Sequence, residues 1–222
     1  MKPRSYGQYC GFSRALEVVG ERWALLVVRD LLVGPKRFTD LLNGLPGIPS
    51  NILTARLKAL EEAGVVRRRV LPRPARAVVY ELTEYGLELE GTVVELGRWG
   101  AKNLGHPRPG ETVTVDSLIT ALRTTFHRAA ARGLRAGFEL RVGEIVLPAR
   151  VAAGRADVGA GPLPGADLVI DASPGIRALM AGELSPADAI ENGTVRLTGD
   201  AKFLTRFAEI FRIEPMPATR SG

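Results

Sequence analysis

Residues 50–64, SNILTARLKALEEAG, constrain the chain more than any other stretch. Leu53, Leu57 and Leu60 recur at intervals of four and three, which predicts a helix with one apolar stripe. At about 100° per residue, Asn51, Ala55 and Lys58 project from the opposite side, with Thr54 on the flank. Ser50 or Asn51 suits the N-cap, and Gly64 stands where a left-handed cap closes a helix. Many surface helices share this pattern. The neighbouring segments set this one apart.

Ahead of it, Ser13–Val19 predicts a short capped helix ended by Gly20. Trp23–Leu32 is apolar nearly all round and predicts a core helix, broken by Gly34 and Pro35. Phe38–Leu42 predicts a third short helix. Residues 43–49, NGLPGIP, form a turn of the size that joins two helices in a helix-turn-helix. Behind it, 65–70 (VVRRRV) and 77–82 (AVVYEL) predict two strands, with 71–76 (LPRPAR) as the exposed tip of a hairpin, a wing. Thr83 then caps a longer predicted helix over 84–103, with Leu87, Val94, Leu96 and Trp99 as its buried positions. That stripe serves either to pair two copies of the chain or to pack on its own domain.

Charge sharpens the reading. The net charge is +6. Residues 1–105 hold 16 basic and 11 acidic side chains (+5), and 106–222 hold 14 and 13 (+1). Most of the excess lies in 56–76, with seven Lys or Arg against Glu61 and Glu62. A basic, helix-bearing segment suits a polyanion. On the predicted helix, Asn51 matches adenine, Ala55 or the Thr54 methyl matches thymine, and Lys58 matches guanine. Lys36, Arg37, Ser50, Arg67, Arg68, Arg69, Arg73 and Arg76 are candidates for phosphate or sugar. Strand alternation forces at least one of the Arg67-Arg68-Arg69 run to face away from the other two. Arg56 points nearer the buried edge and suits bracing the fold.

These features resemble the HxlR group of winged helix-turn-helix transcription regulators over residues 8–102. The resemblance rests on Cys10, the run 15–23 (ALEVVGERW), Arg37-Phe38, 45–48 (LPGI), 53–57 (LTARL), Leu60-Glu61, Gly64, 80–83 (YELT) and Trp99-Gly100. It implies a homodimer that binds operator DNA and usually represses. Some members use an N-terminal cysteine as a redox or electrophile sensor, which makes Cys10 a candidate. A helix N-terminus lowers a thiol pKa. Cys10 otherwise reads as a small apolar residue packed against the dimer helix, and the absence of a second cysteine favours that role.

The link 104–111, LGHPRPGE, marks a domain boundary by its Pro and Gly content. Beyond it, Asp116–Ala131 predicts a helix. Strands are expected over 138–142, 145–151, 156–158, 167–172 and 194–198, and helices over 174–181, 186–191 and 201–211. The sequences 166–171 (ADLVID), 179–190 (LMAGELSPADAI) and 193–200 (GTVRLTGD) resemble the sterol carrier protein type 2-like domain. That resemblance implies a small α+β domain, several members of which hold a lipid between sheet and helices. The candidate cavity residues are Phe126, Phe138, Leu140, Leu179, Met180, Phe203 and Phe207.

Chemistry of other kinds lacks support. One cysteine and two histidines suggest no metal site, and no cofactor is expected. No serine sits in a nucleophile elbow, and 159–165 (GAGPLPG) opens no helix, so it reads as a loop rather than a phosphate cradle. The N-terminus lacks an apolar signal core, and no apolar run is long enough to span a membrane. The expectation is a cytoplasmic α+β protein that is not an enzyme. It has a winged helix-turn-helix DNA-binding and dimerisation domain over 1–105, a sterol-carrier-like domain with a mainly antiparallel sheet over 112–214, and a disordered tail over 215–222. Its expected partners are double-stranded DNA, a second copy of itself and a small apolar ligand. The competing expectation is a lipid-binding or scaffold protein that uses the winged domain for protein contacts.

Overall fold

The computed structural model describes residues 5–74, 76–173 and 175–215. The chain divides into two compact units, Met1–Val93 and Val94–Gly222, with the division inside a helix. The 104–111 link lies within the second unit, and residues 216–222 of the expected tail lie outside the described residues.

The first unit runs α1 (Gly11–Val19), α2 (Ala24–Val33), α3 (Phe38–Gly44), α4 (Ser50–Glu62), β1 (Val66–Val70), β2 (Val78–Leu82) and α5 (Glu84–Leu87), and α6 (Glu90–Ala101) begins in it. Its core joins Val27, Val28 and Leu31 of α2, Leu41 of α3, Leu45, and Leu53, Leu57 and Leu60 of α4. Removing three leucine side chains from water contributes about 1.5–3 kcal/mol each, so the α4 stripe anchors this unit. β1 and β2 pair antiparallel from Val66↔Leu82 to Val70↔Val78. Lys36 adds a short third edge: its amide donates to the Tyr80 carbonyl at 2.9 Å, and the Tyr80 amide returns a bond at 2.7 Å.

Four local expectations change. The N-cap of α4 is Pro49 rather than Ser50 or Asn51, and it provides no side-chain cap bond. Its fixed φ of −68° supplies the extended entry instead. The C-terminus closes as expected: Gly64, at φ +72°, donates to the Glu61 carbonyl and Val65 donates to Leu60. At α1 the cap is Cys10, so the helix starts two residues before Ser13. The helix expected over 84–103 is two helices, α5 and α6. Gly86, inside α5, lies close against the residue that precedes β1, where a Cβ would stand 2.1 Å from the Val65 carbonyl oxygen. With α5 seated on Gly86, Leu87 points outward. Leu87, Leu96 and Trp99 are 51%, 48% and 73% exposed in the single chain, rather than buried, and Val94 is half-buried.

The second unit contains α7 (Val115–Thr125), β3 (Ala136–Val142), β4 (Ile145–Ala152), β5 (Arg155–Val158), β6 (Leu168–Ala172), α8 (Ile176–Met180), α9 (Pro186–Glu191), β7 (Val195–Gly199) and α10 (Lys202–Ile210). The sheet order is β5-β4-β3-β6-β7. The expected antiparallel character holds for three of its pairings, but β3 and β6 run parallel, so the sheet is mixed. The helix expected over 116–131 ends at Thr125. Phe126 turns extended (φ −70°, ψ 123°) and bridges Phe211. The His127 amide donates to the Ile210 carbonyl at 2.7 Å and the Arg212 amide to Thr125 at 2.9 Å, so pairing with a distant segment of the same chain replaces further helical turns.

Phe138 and Leu140 lie on one face of β3, and Glu139 faces the other, where the 159–165 loop covers it with Leu163. The Glu139 carboxylate accepts the Leu163 amide at 2.5 Å and the Arg141 guanidinium at 2.6 and 2.8 Å. The Leu163 amide, followed by Arg141, holds this carboxyl below the usual glutamate range against the opposing effect of burial. A depressed folded-state pKa contributes stability above the unfolded value, and that stability is lost as pH falls through the folded one. Glu139→Gln should therefore weaken the β3 region by about 1–3 kcal/mol at neutral pH. The difference from wild type should shrink below about pH 4. Hydrogen exchange of the β3 and β4 amides at both pH values reads the effect.

Candidate nucleic-acid interface

The buried Leu53, Leu57 and Leu60 fix the rotation of α4, and that rotation leaves Asn51, Thr54, Ala55 and Lys58 exposed together. The Thr54 hydroxyl donates to the Ser50 carbonyl at 2.9 Å. Its one hydroxyl proton is thereby used inside the helix, while the oxygen can still accept a bond. Lys58 lies 3.8 Å from Glu62 across one helical turn, with both side chains largely exposed, a pairing weak enough for a phosphate or base to displace. Arg56 reaches Glu21 at 3.2 Å and ties α4 to the α1–α2 connection, so it braces the fold as expected.

Around α4 the other candidates fall into three places. Ser50 opens the helix and is exposed. Arg37 precedes α3 and is exposed, its amide donating to Asp40 at 2.8 Å, while the neighbouring Lys36 is half-buried beside β2. Arg73 and Arg76 stand exposed at the hairpin tip.

The three consecutive arginines do not share a face. Arg68 lies over the Tyr80 ring at 5.7 Å, opposite Tyr80 in the ladder. Arg67 and Arg69 turn the other way, and both donate to Glu81, at 2.9 and 2.8 Å. Sequence reasoning missed Glu81. The available signal was its place directly across from Arg67 once the hairpin register is drawn.

A family model described as HxlR-like helix-turn-helix matches residues 18–108. The HTH-type transcriptional regulator YodB of Bacillus subtilis is 37% identical over 99 residues, which span 45% of this chain and 86% of that protein. The chain belongs to the HxlR-like helix-turn-helix family. A second relative, the uncharacterized HTH-type transcriptional regulator Rv3095 of Mycobacterium tuberculosis, is 43% identical over 96 residues, 43% of this chain and 59% of that protein. The solved reduced form of YodB aligns with 47% of this chain and 100% of its own at 34% identity, with a TM-score of 0.39.

Outside the helix and wing of this HxlR-like region, Cys10 is exposed at the start of α1. The Ser13 backbone, and after it the Phe12 backbone, hold its thiol below the ordinary value. In the second unit, the candidate cavity residues form a packed cluster. Phe138 stacks edge-on with Phe203, Phe207 and Phe211 at 6.1, 5.5 and 6.5 Å, and Phe126 meets Phe211 at 5.6 Å. Leu140, Leu179 and Met180 are buried beside them. A pocket of this unit, about 610 Å³, is lined instead by Lys102, His127, Glu209, Arg212 and their neighbours. Among the described residues, no group of His, Cys, Asp or Glu is placed to hold a metal ion, and no helix is long and apolar enough to cross a membrane.

Asn51→Ala or Lys58→Ala should lower affinity for a preferred DNA site by about 1–3 kcal/mol while changing affinity for unrelated DNA less. Arg73→Ala should weaken all sequences alike and flatten the salt dependence. Fluorescence anisotropy with matched specific and scrambled duplexes separates the two. A wing variant that changes base preference while the helix variants do not would reassign the reading element.

Proposed function

We propose that this protein is a sequence-specific DNA-binding transcription regulator that represses as a homodimer. In this reading α4 enters the major groove and the β1–β2 wing grips the adjacent backbone. The observation that carries it is the division of α4: a wholly buried leucine stripe on one side, and Asn51, Thr54, Ala55 and Lys58 exposed on the other. Asn51 addresses adenine, the Thr54 methyl and Ala55 address thymine methyls, and Lys58 addresses guanine. Ser50, Lys36, Arg37, Arg73, Arg76 and, on one face of β1, Arg67 and Arg69 address phosphate and sugar, while Arg68 on the other face does not share that contact. Selection of genomic fragments by the full chain at a stated salt concentration tests this. A shared pseudo-palindromic motif supports the reading, and recovery of fragments without any common motif removes it.

The dimer belongs to the same reading. Leu96 and Trp99 lie three residues apart on α6 and are exposed, an apolar pair that a second copy would cover. Cys10, exposed with a depressed thiol pKa, is the proposed redox-responsive residue. For the second unit we retain the sterol-carrier-like reading, supported by its small α+β architecture and its resemblance over 166–200. A ligand there must part the ring contacts of Phe138, Phe203 and Phe207. Binding would therefore select a minor, opened state. Native mass spectrometry of protein purified from its source tests this. Absence of any bound apolar species, with no uptake of a small apolar probe, leaves the unit without a ligand role.

For assembly, Trp99→Glu should shift the full chain from dimer to monomer in sedimentation at micromolar concentration, and should weaken operator binding at the same time. An unchanged sedimentation profile would place the dimer contact elsewhere.

A further inference from the structure

Arg67 and Arg69 lie on one face of β1, two residues apart, and each uses its Nε–H to hold the same carboxylate. Glu81, which supplies both acceptor oxygens, stands directly across from Arg67 in the ladder. Its side chain is only 12% exposed, whereas those of Arg67 and Arg69 are 65% and 44% exposed. The anion therefore sits at the base of the pair, and the two guanidinium groups extend past it into solvent. Arg69, and then Arg67, hold the Glu81 carboxyl below the usual glutamate range against desolvation, so this carboxylate is ionised throughout the neutral range.

Two consequences follow. The carboxylate fixes both guanidinium forks in orientation, which removes side-chain freedom that phosphate binding would otherwise have to remove. It also leaves the three groups with a net charge of +1, so a phosphate drawn to either arginine meets a fixed negative charge just behind it. The balance depends on how the DNA is held. When α4 is locked in one register, the phosphates stand at fixed positions and the oriented forks gain. When the protein slides over unrelated sequence, phosphate positions vary, orientation gains little, and the repulsion persists. We infer that Glu81 is a specificity-determining residue of the wing: it orients Arg67 and Arg69 for backbone contacts in the specific complex and suppresses their attraction to DNA in general.

This inference rests on the DNA-binding reading above, and its test separates the two. Glu81→Gln keeps the shape and can still accept a hydrogen bond, while removing the charge. Binding of the full-length protein is measured against its selected site and a scrambled duplex across a salt series. For scrambled DNA the salt slope should steepen by about 0.9, the value of one additional released counterion, which amounts to roughly fivefold tighter binding at about 0.15 M salt. Affinity for the selected site should rise less or fall, so the specificity ratio drops. Arg67→Gln in the Glu81→Gln background restores the net charge and should return the scrambled-DNA slope to its original value. Glu81→Gln with an unchanged slope, or with both affinities lowered in parallel, overturns the inference, because a carboxylate that only stabilises the hairpin produces that parallel loss. A wild-type protein that does not discriminate between the two duplexes removes the DNA-reading function itself.

Discussion

Burial of Leu53, Leu57 and Leu60 fixes how α4 is turned about its own axis, and the placement of the interface depends on that angle. A rotation of one residue is about 100° on a helix, enough to carry Asn51 and Lys58 out of the exposed sector and bring leucines into it. The stripe lies in one core with Val27, Val28 and Leu31 of α2 and Leu41 of α3, all close-packed. Such interiors resist rotation because any turn opens voids on one side and overlaps atoms on the other. The polar face is therefore positioned by apolar residues that never meet the partner.

Much of this was readable from the chain. The leucine spacing located α4, the Gly64 closure located its end, and β-branched runs around a Pro- and Arg-bearing tip located the wing. What escaped depended on groups far apart in sequence. Gly86 of α5 meets the Val65 carbonyl closely, a contact invisible to a helical periodicity count. The same holds for the early end of α7, where residues 125–127 exchange helical bonds for pairing with 210–212. Apolar positions on α6 predict burial, yet a single chain leaves Leu96 and Trp99 in solvent.

The candidate site was legible to the same degree and for the same reason. Side chains on the exposed side of α4 follow from the helical period alone. The arginines of β1 do not, because alternation says only that they divide between two faces. Their partners appear once the register sets Glu81 against Arg67 and Tyr80 against Arg68. In the second unit, strand alternation sets Glu139 on the face of β3 opposite Phe138 and Leu140 without saying whether that face is covered. Glu139 proves to be a buried acceptor that pins the 159–165 loop over the sheet.

Only residues 63–65 separate the end of α4 from the start of β1, and they are tied on both sides. The Thr83 hydroxyl donates to the Gly64 carbonyl at 2.6 Å, its amide donates to Val65 at 3.0 Å, and its oxygen accepts the Gly86 amide at 3.0 Å. In the proposed DNA-binding reading, helix and wing would therefore approach a duplex as one stiff calliper rather than as two fingers on a hinge. No linker has to be ordered on docking, and neither element can dock first and wait for the other. The distance between its two tips is set in the free protein. In that reading a duplex whose groove width does not match the span would have to deform to be held, so local DNA shape would be read along with its bases.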